Sequence, residues 1–371
     1  MIVGVPKEIK EDETRVGLLP VGVRALVEAG HDVYFEQESG IGAGVSDEAY
    51  MEEGAIVVDT AEEVFAQAEL ILKVKEPIGA EFELIREGQV VFAFFHFAAS
   101  LELTNRFADT GAIAIAYETV EAADGSRPLL IPMSEIAGRM AVQEGAKYLE
   151  APQGGRGVLL GGIPGVAPAD VLILGGGGVG QSAARTATGI GATVFVLDID
   201  NTQLRRLSQV MPPNVTAMVS NSYNLEKLVA SADLLIGAVL VTGAKSPTLV
   251  TKEMLHWMKK GSVIVDVAVD QGGCVETMHP TTHRDPTYIV EGVVHCGVAN
   301  LPGAVPRTAT MALSNAPFPY VLEIANRGWE EACRLDQGLA HGLNMIRGKI
   351  THRGVAETVG VDFHPLPFDV K

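Results

Sequence analysis

Short runs of apolar and β-branched residues alternate with segments of helical length along most of the chain. Segments such as 22–29, 61–68 and 101–110 have the length and composition of helices. Strand–helix alternation of this kind is typical of a parallel sheet covered by helices on both faces. The pattern predicts an α/β fold with two doubly wound parallel-sheet domains. The predicted strands are residues 2–5, 32–36, 55–58, 70–74, 90–95 and 112–117 in a first series, and 171–174, 193–197, 234–238, 263–267 and 293–296 in a second.

Two long helical patterns separate the two series of strands. Residues 133–150, with Ser134 as the predicted N-cap, precede the second series, and residues 309–327 follow it. The chain is therefore expected to leave a first domain through one helix and to return through the other. We predict a domain formed by residues 1–133 plus 310–371, with residues 134–309 inserted as a second domain.

Composition narrows the functional class. A length of 371 residues suits two domains, and the formal net charge of −18 argues against nucleic acid or an anionic membrane as a partner. No window approaches ~18 uninterrupted apolar residues, and no secretory leader pattern is seen at residue 1. Cys274, Cys296 and Cys333 lack the spacing of a disulfide framework or a metal site. We therefore expect a cytoplasmic protein with no membrane segment and no metal.

A glycine-rich turn follows the first strand of the second series. It satisfies G-x-G-x-x-G at Gly175, Gly177 and Gly180, and residues 181–189 then have a helical pattern. The first glycine permits a tight turn, the second lets the backbone approach a pyrophosphate, and the third allows close helix–strand packing. By itself the turn also fits a flexible loop, but its position between a strand and a helix predicts a Rossmann-type dinucleotide site.

Asp198 decides which dinucleotide is expected. It ends the next strand, 18 residues after Gly180, where a carboxylate accepts the ribose hydroxyls and repels a 2′-phosphate. The neighbouring Arg205 and Arg206 leave two alternatives, since they are either exposed helix residues or partners for that phosphate. We predict NAD rather than NADP. Further strand ends, at Ser220, Val239, Leu240 and residues 266–270, are expected to line the same crevice.

Three polar side chains follow strands of the first domain. Arg15 lies in the loop after the first strand, Lys75 ends the run 70–74, and His96 ends the run 90–95. Each alone has an ordinary interpretation, as a solvated cation or a core histidine, and Asp270 in the second domain also fits a simple turn. Because the carboxyl ends of parallel strands meet at one edge of a sheet, we expect the first three to lie together.

Together these residue types suit hydride transfer to a small oxo or imino acid. Arg15 and Lys75 can hold a carboxylate, and His96 can pass protons to and from the substrate. Asp270 can orient the histidine or stabilise a cationic imine. His279, His283, His295 and Cys296 show no convincing metal-ligand spacing.

Several motifs also resemble one known family. These are residues 4–8 with 13–16, 73–77, 117–119, 133–139, 154–165, 266–273, and 298–302 with 306–308. Across essentially the whole chain they resemble the alanine dehydrogenase and transhydrogenase N-terminal family, and the NAD-dependent alanine dehydrogenases within it most of all. The turn departs from the family's usual Gly-Ala-Gly-x-x-Gly pattern, since four consecutive glycines stand there.

The resemblance implies reversible oxidative deamination of L-alanine to pyruvate and ammonium with NAD. It implies that Arg15 and Lys75 bind the substrate, that His96 donates and accepts the proton, and that Asp270 is the second catalytic group. It also implies a homo-oligomer, generally a hexamer. The family positions that contact NAD correspond to Ser134, Gly175, Gly177, Gly178, Val179, Gly180, Asp198, Ser220, Val239, Leu240, Val267, Ala268, Val269, Asp270, Val298, Ala299, Asn300 and Leu301.

Two other functions fit part of the sequence. The NAD(H)-binding subunit of a transhydrogenase uses the dinucleotide without binding an amino acid. A catalytically silent NAD-binding regulatory module would explain the glycine turn but would leave Lys75, His96 and Asp270 without a role.

Overall fold

The computed structural model describes residues 1–239 and 246–369. The chain forms two compact units, Met1–Met133 with Val305–Lys371, and Ser134–Ala304. The second boundary precedes Pro306 instead of following residue 309. Pro306 begins a helix that belongs wholly to the first unit, and proline is favoured in a first helical turn because its missing N–H is not needed there.

The eleven predicted strands are present with small changes at their ends, and four further strands, β9, β12, β14 and β15 below, were not predicted. In chain order they are β1 Ile2–Val5, β2 Asp32–Glu36, β3 Ile56–Val58, β4 Leu70–Lys75, β5 Val90–Phe94, β6 Ile113–Ala116, β7 Asp170–Leu174, β8 Thr193–Asp198, β9 Val215–Val219, β10 Leu234–Gly237, β11 Val263–Asp266, β12 Thr287–Val290, β13 Val293–Cys296, β14 Leu343–Ile346 and β15 Lys349–Ile350.

The α-helices occupy most of the connections between strands. They are α1 Pro20–Glu28, α2 Asp47–Glu52, α3 Ala61–Gln67, α4 Glu81–Leu84, α5 Leu101–Asp109, α6 Ile131–Tyr148, α7 Gly178–Ile190, α8 Asn201–Val210, α9 Ser222–Ser231, α10 Lys252–Leu255, α11 Pro306–Asn315, α12 Phe318–Arg327, α13 Trp329–Leu335, α14 Gln337–His341 and α15 Arg353–Val359.

Each unit is built on one twisted sheet. The described residues of the first unit form the order β15-β14-β6-β5-β4-β1-β2-β3, and those of the second form β12-β13-β11-β10-β7-β8-β9. Strands β1 to β6 pair in parallel, as do β7 to β11 and β13. The predicted α/β class is confirmed, with two sheets that are mostly parallel.

The sheets are mixed because antiparallel strands were added at their edges. β12 pairs antiparallel with β13, and β14 pairs antiparallel with both β6 and β15. Two-residue turns join these hairpins, Glu291-Gly292 and Arg347-Gly348, and all four residues have positive φ. Such turns match the twist of a hairpin, but Asn-Gly or Asp-Gly is their usual sequence signal. The antiparallel strands at these edges were not part of the prediction of two parallel-sheet domains.

Two helix predictions also need correction. α6 begins at Ile131, so Ser134 lies inside its first turns and is not the N-cap; Pro132 is tolerated at the second position because a first-turn residue needs no N–H. The predicted helix 309–327 is two helices, α11 and α12. Pro317 stands between them, and its ring and missing N–H prevent α11 from continuing.

Candidate functional site

The glycine turn of the second unit joins the end of β7 to α7. Gly175 has a φ of +96°, and a Cβ atom built on it would lie 2.6 Å from the Ala238 carbonyl oxygen. A Cβ on Gly180 would lie 1.9 Å from the Gly175 carbonyl oxygen, which real contacts never allow. At Gly177, by contrast, such an atom would have no described neighbour within 4 Å. Gly175 and Gly180 therefore close the turn, while Gly177 leaves space for a ligand to approach.

The first turn of α7 presents the features that a dinucleotide needs. Gly177 is its N-cap, and the helix continues to Ile190, so its first N–H groups are available to a pyrophosphate. Gly178 and Val179 form this turn, and Ser134 of α6 lies beside it, 3.5 Å from a Cβ built on Gly178. α6 can approach this closely because Gly138 has no side chain. A Cβ atom built there would lie 2.2 Å from the Val179 carbonyl oxygen. These residues fit a bound dinucleotide.

Asp198 ends β8 at the same edge of the sheet. Its Oδ2 accepts the Gly176 N–H at 2.7 Å, and its Oδ1 accepts the Asp200 N–H at 2.8 Å. The carboxylate is therefore fixed beside the glycine turn. Sequence reasoning missed Gln203, whose side-chain amide donates to the Gly176 carbonyl. Arg205 and Arg206 are exposed on α8.

The neighbouring strand ends contribute mainly backbone. Ser220 N–H donates to the Asp198 carbonyl at 2.8 Å, and the Val239 carbonyl accepts from the Ser246 hydroxyl at 3.0 Å. The Val267 N–H donates to Gly237 at 2.9 Å. These residues lie at the carboxyl ends of β9, β10 and β11. Leu240, also predicted to contact NAD, lies outside the described residues.

The loop after β11 carries Asp270 and is held by a buried aspartate. Asp266 accepts the N–H groups of Ala268 at 3.0 Å and Cys274 at 2.7 Å. Burial raises the pKa of Asp266, although these hydrogen bonds lower it. Val269 and Asp270 form a short 3-10 turn, in which Val269 is buried and Asp270 is exposed. Asp266 thus fixes a loop whose exposed carboxylate is Asp270.

Residues 298–301 follow the carboxyl end of β13 in the second unit. Val298 and Leu301 are buried, whereas Ala299 is half-buried. Asn300 has a φ of +82°, and its carbonyl accepts the Gly303 N–H at 2.9 Å and faces a His283 ring nitrogen at 3.0 Å. The predicted NAD-contacting segment is thus an ordered turn.

Arg15 of the first unit is buried, with 2 % of its surface exposed. Its Nε donates to Glu13 Oε1 at 2.7 Å, Nη2 is paired with Glu13 Oε2, and Nη1 contacts Met133 Sδ at 3.2 Å. The pairing and hydrogen bonds with Arg15 lower the pKa of Glu13, although burial opposes them. Glu13, which sequence reasoning did not select, fixes the guanidinium from only two residues away.

Lys75 lies at the end of β4, in line with Phe94 of β5. It is half-buried, and burial is the main cause that lowers the pKa of its ammonium. The positive charges of Arg15 and Lys10 lower it further. The negative charges of Glu13 and Glu76 act in the opposite direction. Arg15 and Lys75 thus lie near enough to influence each other, in a region that contains both cations and carboxylates.

His96 is exposed, so the core-histidine alternative does not hold. Its backbone is left-handed, with φ +54° and ψ +40°, an uncommon conformation for a residue with a side chain. Glu118 stabilises this bend, because its carboxylate accepts the N–H groups of His96 at 2.6 Å and Phe95 at 3.3 Å. The His96 ring lies parallel to Phe94 with centroids 5.9 Å apart. Like Gln203 and Glu13, Glu118 was not selected from the sequence.

The first unit therefore carries the buried Arg15, the half-buried Lys75 and the exposed imidazole of His96 after β1, β4 and β5. These residue types can bind the carboxylate of a small substrate and exchange a proton with another of its groups. Residues 1–239 and 246–369 contain no group of three or more His, Cys, Asp or Glu side chains suited to a metal ion. Over the same residues, no helix is long and apolar enough to cross a membrane.

Comparisons with known proteins identify the family of the chain. Residues 4–137 match the family model for the alanine dehydrogenase/PNT N-terminal domain, and residues 141–353 match the model for the C-terminal domain. An alanine dehydrogenase of Methanococcus maripaludis is 52% identical over 99% of this chain and 98% of its own.

Two solved structures separate the branches of the family. One L-alanine dehydrogenase has a TM-score of 0.93 and 53% identity, covering 97% of this chain and 99% of its own. A transhydrogenase from Sinorhizobium meliloti has a TM-score of 0.80 and 25% identity, covering 95% and 99%. The fold is common to both, while the sequence is much closer to the first. The chain belongs to the alanine dehydrogenase/PNT family.

Proposed function

We propose that this protein is an NAD-dependent L-alanine dehydrogenase. The reaction is L-alanine + NAD⁺ + H₂O ⇌ pyruvate + NH₄⁺ + NADH + H⁺. The observation that carries the proposal is the cluster of Arg15, Lys75 and His96 at one sheet edge, in a chain that also has a dinucleotide turn. The high identity to alanine dehydrogenases over nearly the whole chain supports it.

Arg15 and Lys75 hold the substrate carboxylate, which alanine and pyruvate share. Glu13 keeps the guanidinium in one orientation, so Arg15 loses little conformational entropy when it binds an anion. The half-buried ammonium of Lys75 is poorly hydrated, so it loses little hydration free energy. Lys75 is also proposed to donate to the oxygen or nitrogen on the reacting carbon.

His96 exchanges the proton that the reaction releases or consumes. Its imidazole is exposed, and Glu118 and Phe94 restrict its backbone and ring. Histidine exchanges protons more readily near neutral pH than other side chains do. During deamination it removes a proton as water adds to the imine carbon, and during amination it returns one.

The glycine turn, Ser134 and Asp198 hold the dinucleotide. The α7 N-terminus receives the pyrophosphate, and the Asp198 carboxylate accepts the ribose hydroxyls and disfavours a 2′-phosphate, so NAD is the expected form. When bound, NAD exchanges a hydride with the substrate carbon. Asp270 is proposed as the second catalytic group because its carboxylate is exposed in a loop that Asp266 fixes.

We further propose that the protein is cytoplasmic and forms a homo-oligomer. The family resemblance favours a hexamer. The described cysteines are free and buried, which suits a reducing compartment. The second unit has an exposed apolar patch, formed by Leu159, Ile163, Val166 and Ile190, of the kind that subunit contacts bury. Light scattering on the wild type and on Ile163→Glu tests this, with a smaller particle expected for the variant.

The activity is tested with purified protein, NADH, pyruvate and ammonium. Oxidation of NADH should require both pyruvate and ammonium, and Lys75→Met should remove most of it. Oxidation with pyruvate alone would indicate a 2-hydroxy-acid dehydrogenase. NADH binding without turnover would favour the regulatory or transhydrogenase alternatives, to which the chain is less similar in sequence.

A further inference from the structure

A buried ion cluster lies behind the Arg15–Lys75 region and has no part in the chemistry proposed above. Lys73 is fully buried on β4, with its ammonium 3.1 Å from Glu8 Oε2 and 2.6 Å from Glu81 Oε1. Both carboxylates are also buried. Glu8 follows β1 and Glu81 begins α4, so the cluster joins three segments of the first unit. We call Glu8, Lys73 and Glu81 the ion clasp.

The ion clasp coincides with an irregularity in β4. The strand pairs with β5 at Leu70↔Val90, Ile71↔Val91 and Leu72↔Phe92, and the pairing then resumes at Lys75↔Phe94. β4 therefore uses three steps, from 72 to 75, where β5 uses two, from 92 to 94. One extra residue in β4 shifts the register as a β-bulge does, and we call this shift the bulge.

The bulge determines which side chain β4 presents beside Phe94. With an unbroken register, Val74 would pair with Phe94 and Lys75 would come one residue later. Successive strand residues point to opposite faces, so a one-residue shift moves a side chain from one face to the other. The bulge thus sets the direction in which Lys75 leaves the sheet.

Glu8 satisfies the backbone where the ladder is interrupted. Its Oε1 accepts the Val74 N–H at 2.6 Å, and its other oxygen lies against Lys73. Glu81 Oε2 accepts the Ile78 N–H at 2.9 Å, so the clasp also holds the segment that follows Lys75. An apolar trio would pack a sheet interior without the desolvation that three buried charges require. These charges instead specify one arrangement of the backbone on both sides of Lys75.

We propose that Glu8, acting with Lys73 and Glu81, is a positioning residue that fixes the β4 bulge and thereby aims Lys75 at the substrate carboxylate. This inference rests on the proposed function, because it needs Lys75 to bind substrate. Glu8 itself touches neither substrate nor cofactor.

Glu8→Gln tests the proposal, because the amide keeps an acceptor for the Val74 N–H and removes the charge opposite Lys73. We expect the KM for pyruvate to rise about tenfold, the cost of one weakened charge-assisted contact, with a smaller change in kcat and an unchanged Kd for NADH. Asp233→Asn is the matched control. Asp233 is also a buried carboxylate that accepts a backbone N–H, from Asp170, and pairs with the cations Arg156 and Lys259. It lies in the second unit, so its variant should change stability without changing the KM for pyruvate.

A double variant separates positioning from stability. If Glu8 acts through Lys75, adding Glu8→Gln to Lys75→Met should change kcat/KM no further, whereas independent effects would multiply. Multiplying effects, or a folded Glu8→Gln protein with the wild-type KM, would overturn the proposal. If Glu8→Gln does not fold, Glu81→Gln replaces it under the same two criteria, since its amide still accepts the Ile78 N–H. Absence of ammonium-dependent turnover in the wild type would reject the proposed function instead.

Discussion

The candidate site of one unit is formed mainly by backbone, and that of the other mainly by side chains. In the second unit the turn at residues 175–180 relies on backbone, with glycines that leave room and a helix N-terminus that offers N–H groups. In the first unit the proposed site relies on side chains, and carboxylates support two of them: Glu13 holds the Arg15 guanidinium, and Glu118 holds the backbone of His96. A backbone site recognises a group common to many ligands, and a side-chain site selects one chemistry. We therefore expect the first unit to determine the substrate specificity.

The largest effect that distinguishes the two units is expected from His96→Ala. Turnover is expected to fall roughly 10²–10⁴-fold, because a positioned proton donor and acceptor is lost. NADH affinity, measured by fluorescence titration, should not change. His341→Ala, at an exposed histidine of the same unit, is the control. A His96→Ala enzyme with near-normal turnover would remove the histidine from the mechanism.

The converse change is Gly177→Ala in the second unit. Its φ of −68° suits alanine and no described atom would meet the new Cβ. Alanine is a poorer N-cap than glycine but also restricts the unfolded chain, so the melting temperature should change little. The methyl group would occupy the space left for the pyrophosphate, and the Kd for NADH should rise about tenfold or more, ~1.4 kcal/mol. Gly189→Ala in the same helix, also without described neighbours, should leave the Kd unchanged. Unaltered NADH binding in Gly177→Ala would contradict the assignment of the turn.

Asp198→Ala should have a smaller effect on affinity and a specific effect on selectivity. Loss of the carboxylate removes a partner of the ribose hydroxyls, so NADH should bind several-fold more weakly and the preference over NADPH should shrink. Asp200→Ala is a suitable control, because Asp200 caps α8 and its loss should cost about 1 kcal/mol of stability without altering the preference. Ratios of kcat/KM for the two cofactors decide the point; an unchanged ratio in Asp198→Ala would refute the ribose contact.

The smallest predicted effect concerns stability and pH. His295 is buried in the second unit between Thr277 and the Val293 carbonyl, and burial lowers its pKa below the ordinary 6.5. The unfolded chain therefore binds a proton at a higher pH than the folded one, so the stabilising contribution is lost as pH falls below about 6.5. Melting temperatures at about pH 7.5 and about pH 5.5 should differ less for His295→Asn than for the wild type. The exposed His256→Asn should keep the wild-type difference, and an equal pH dependence in His295→Asn would exclude this role.

The sequence predicted the regular parts of both units well, because alternating strands and helices and a glycine turn are local signals. It did not predict the hairpins at Glu291-Gly292 and Arg347-Gly348, since their turns lack the common residue pairs. Pro317 was visible in the sequence, but the apolar periodicity continued past it and hid the break between α11 and α12.

The candidate site residues likewise divide into those that local sequence patterns indicate and those that depend on contacts between distant segments. Arg15, Lys75 and His96 were selected because each follows a predicted strand. Glu13 and Glu118 were not selected, although both stand in the recognised motifs, because their contacts depend on side-chain direction and on the pairing of distant segments. A carboxylate 22 residues from His96 gives no sequence signal of its bond to that backbone.

The most direct test of the central claim is to trace the nitrogen of ammonium into the product. Purified protein is incubated with NADH, pyruvate and ammonium that carries a heavy nitrogen isotope, and the products are identified by mass spectrometry and chiral chromatography. The account predicts L-alanine containing the labelled nitrogen, formed in equal amount to the NADH consumed. Lactate, or NADH consumption that does not depend on ammonium, would contradict it.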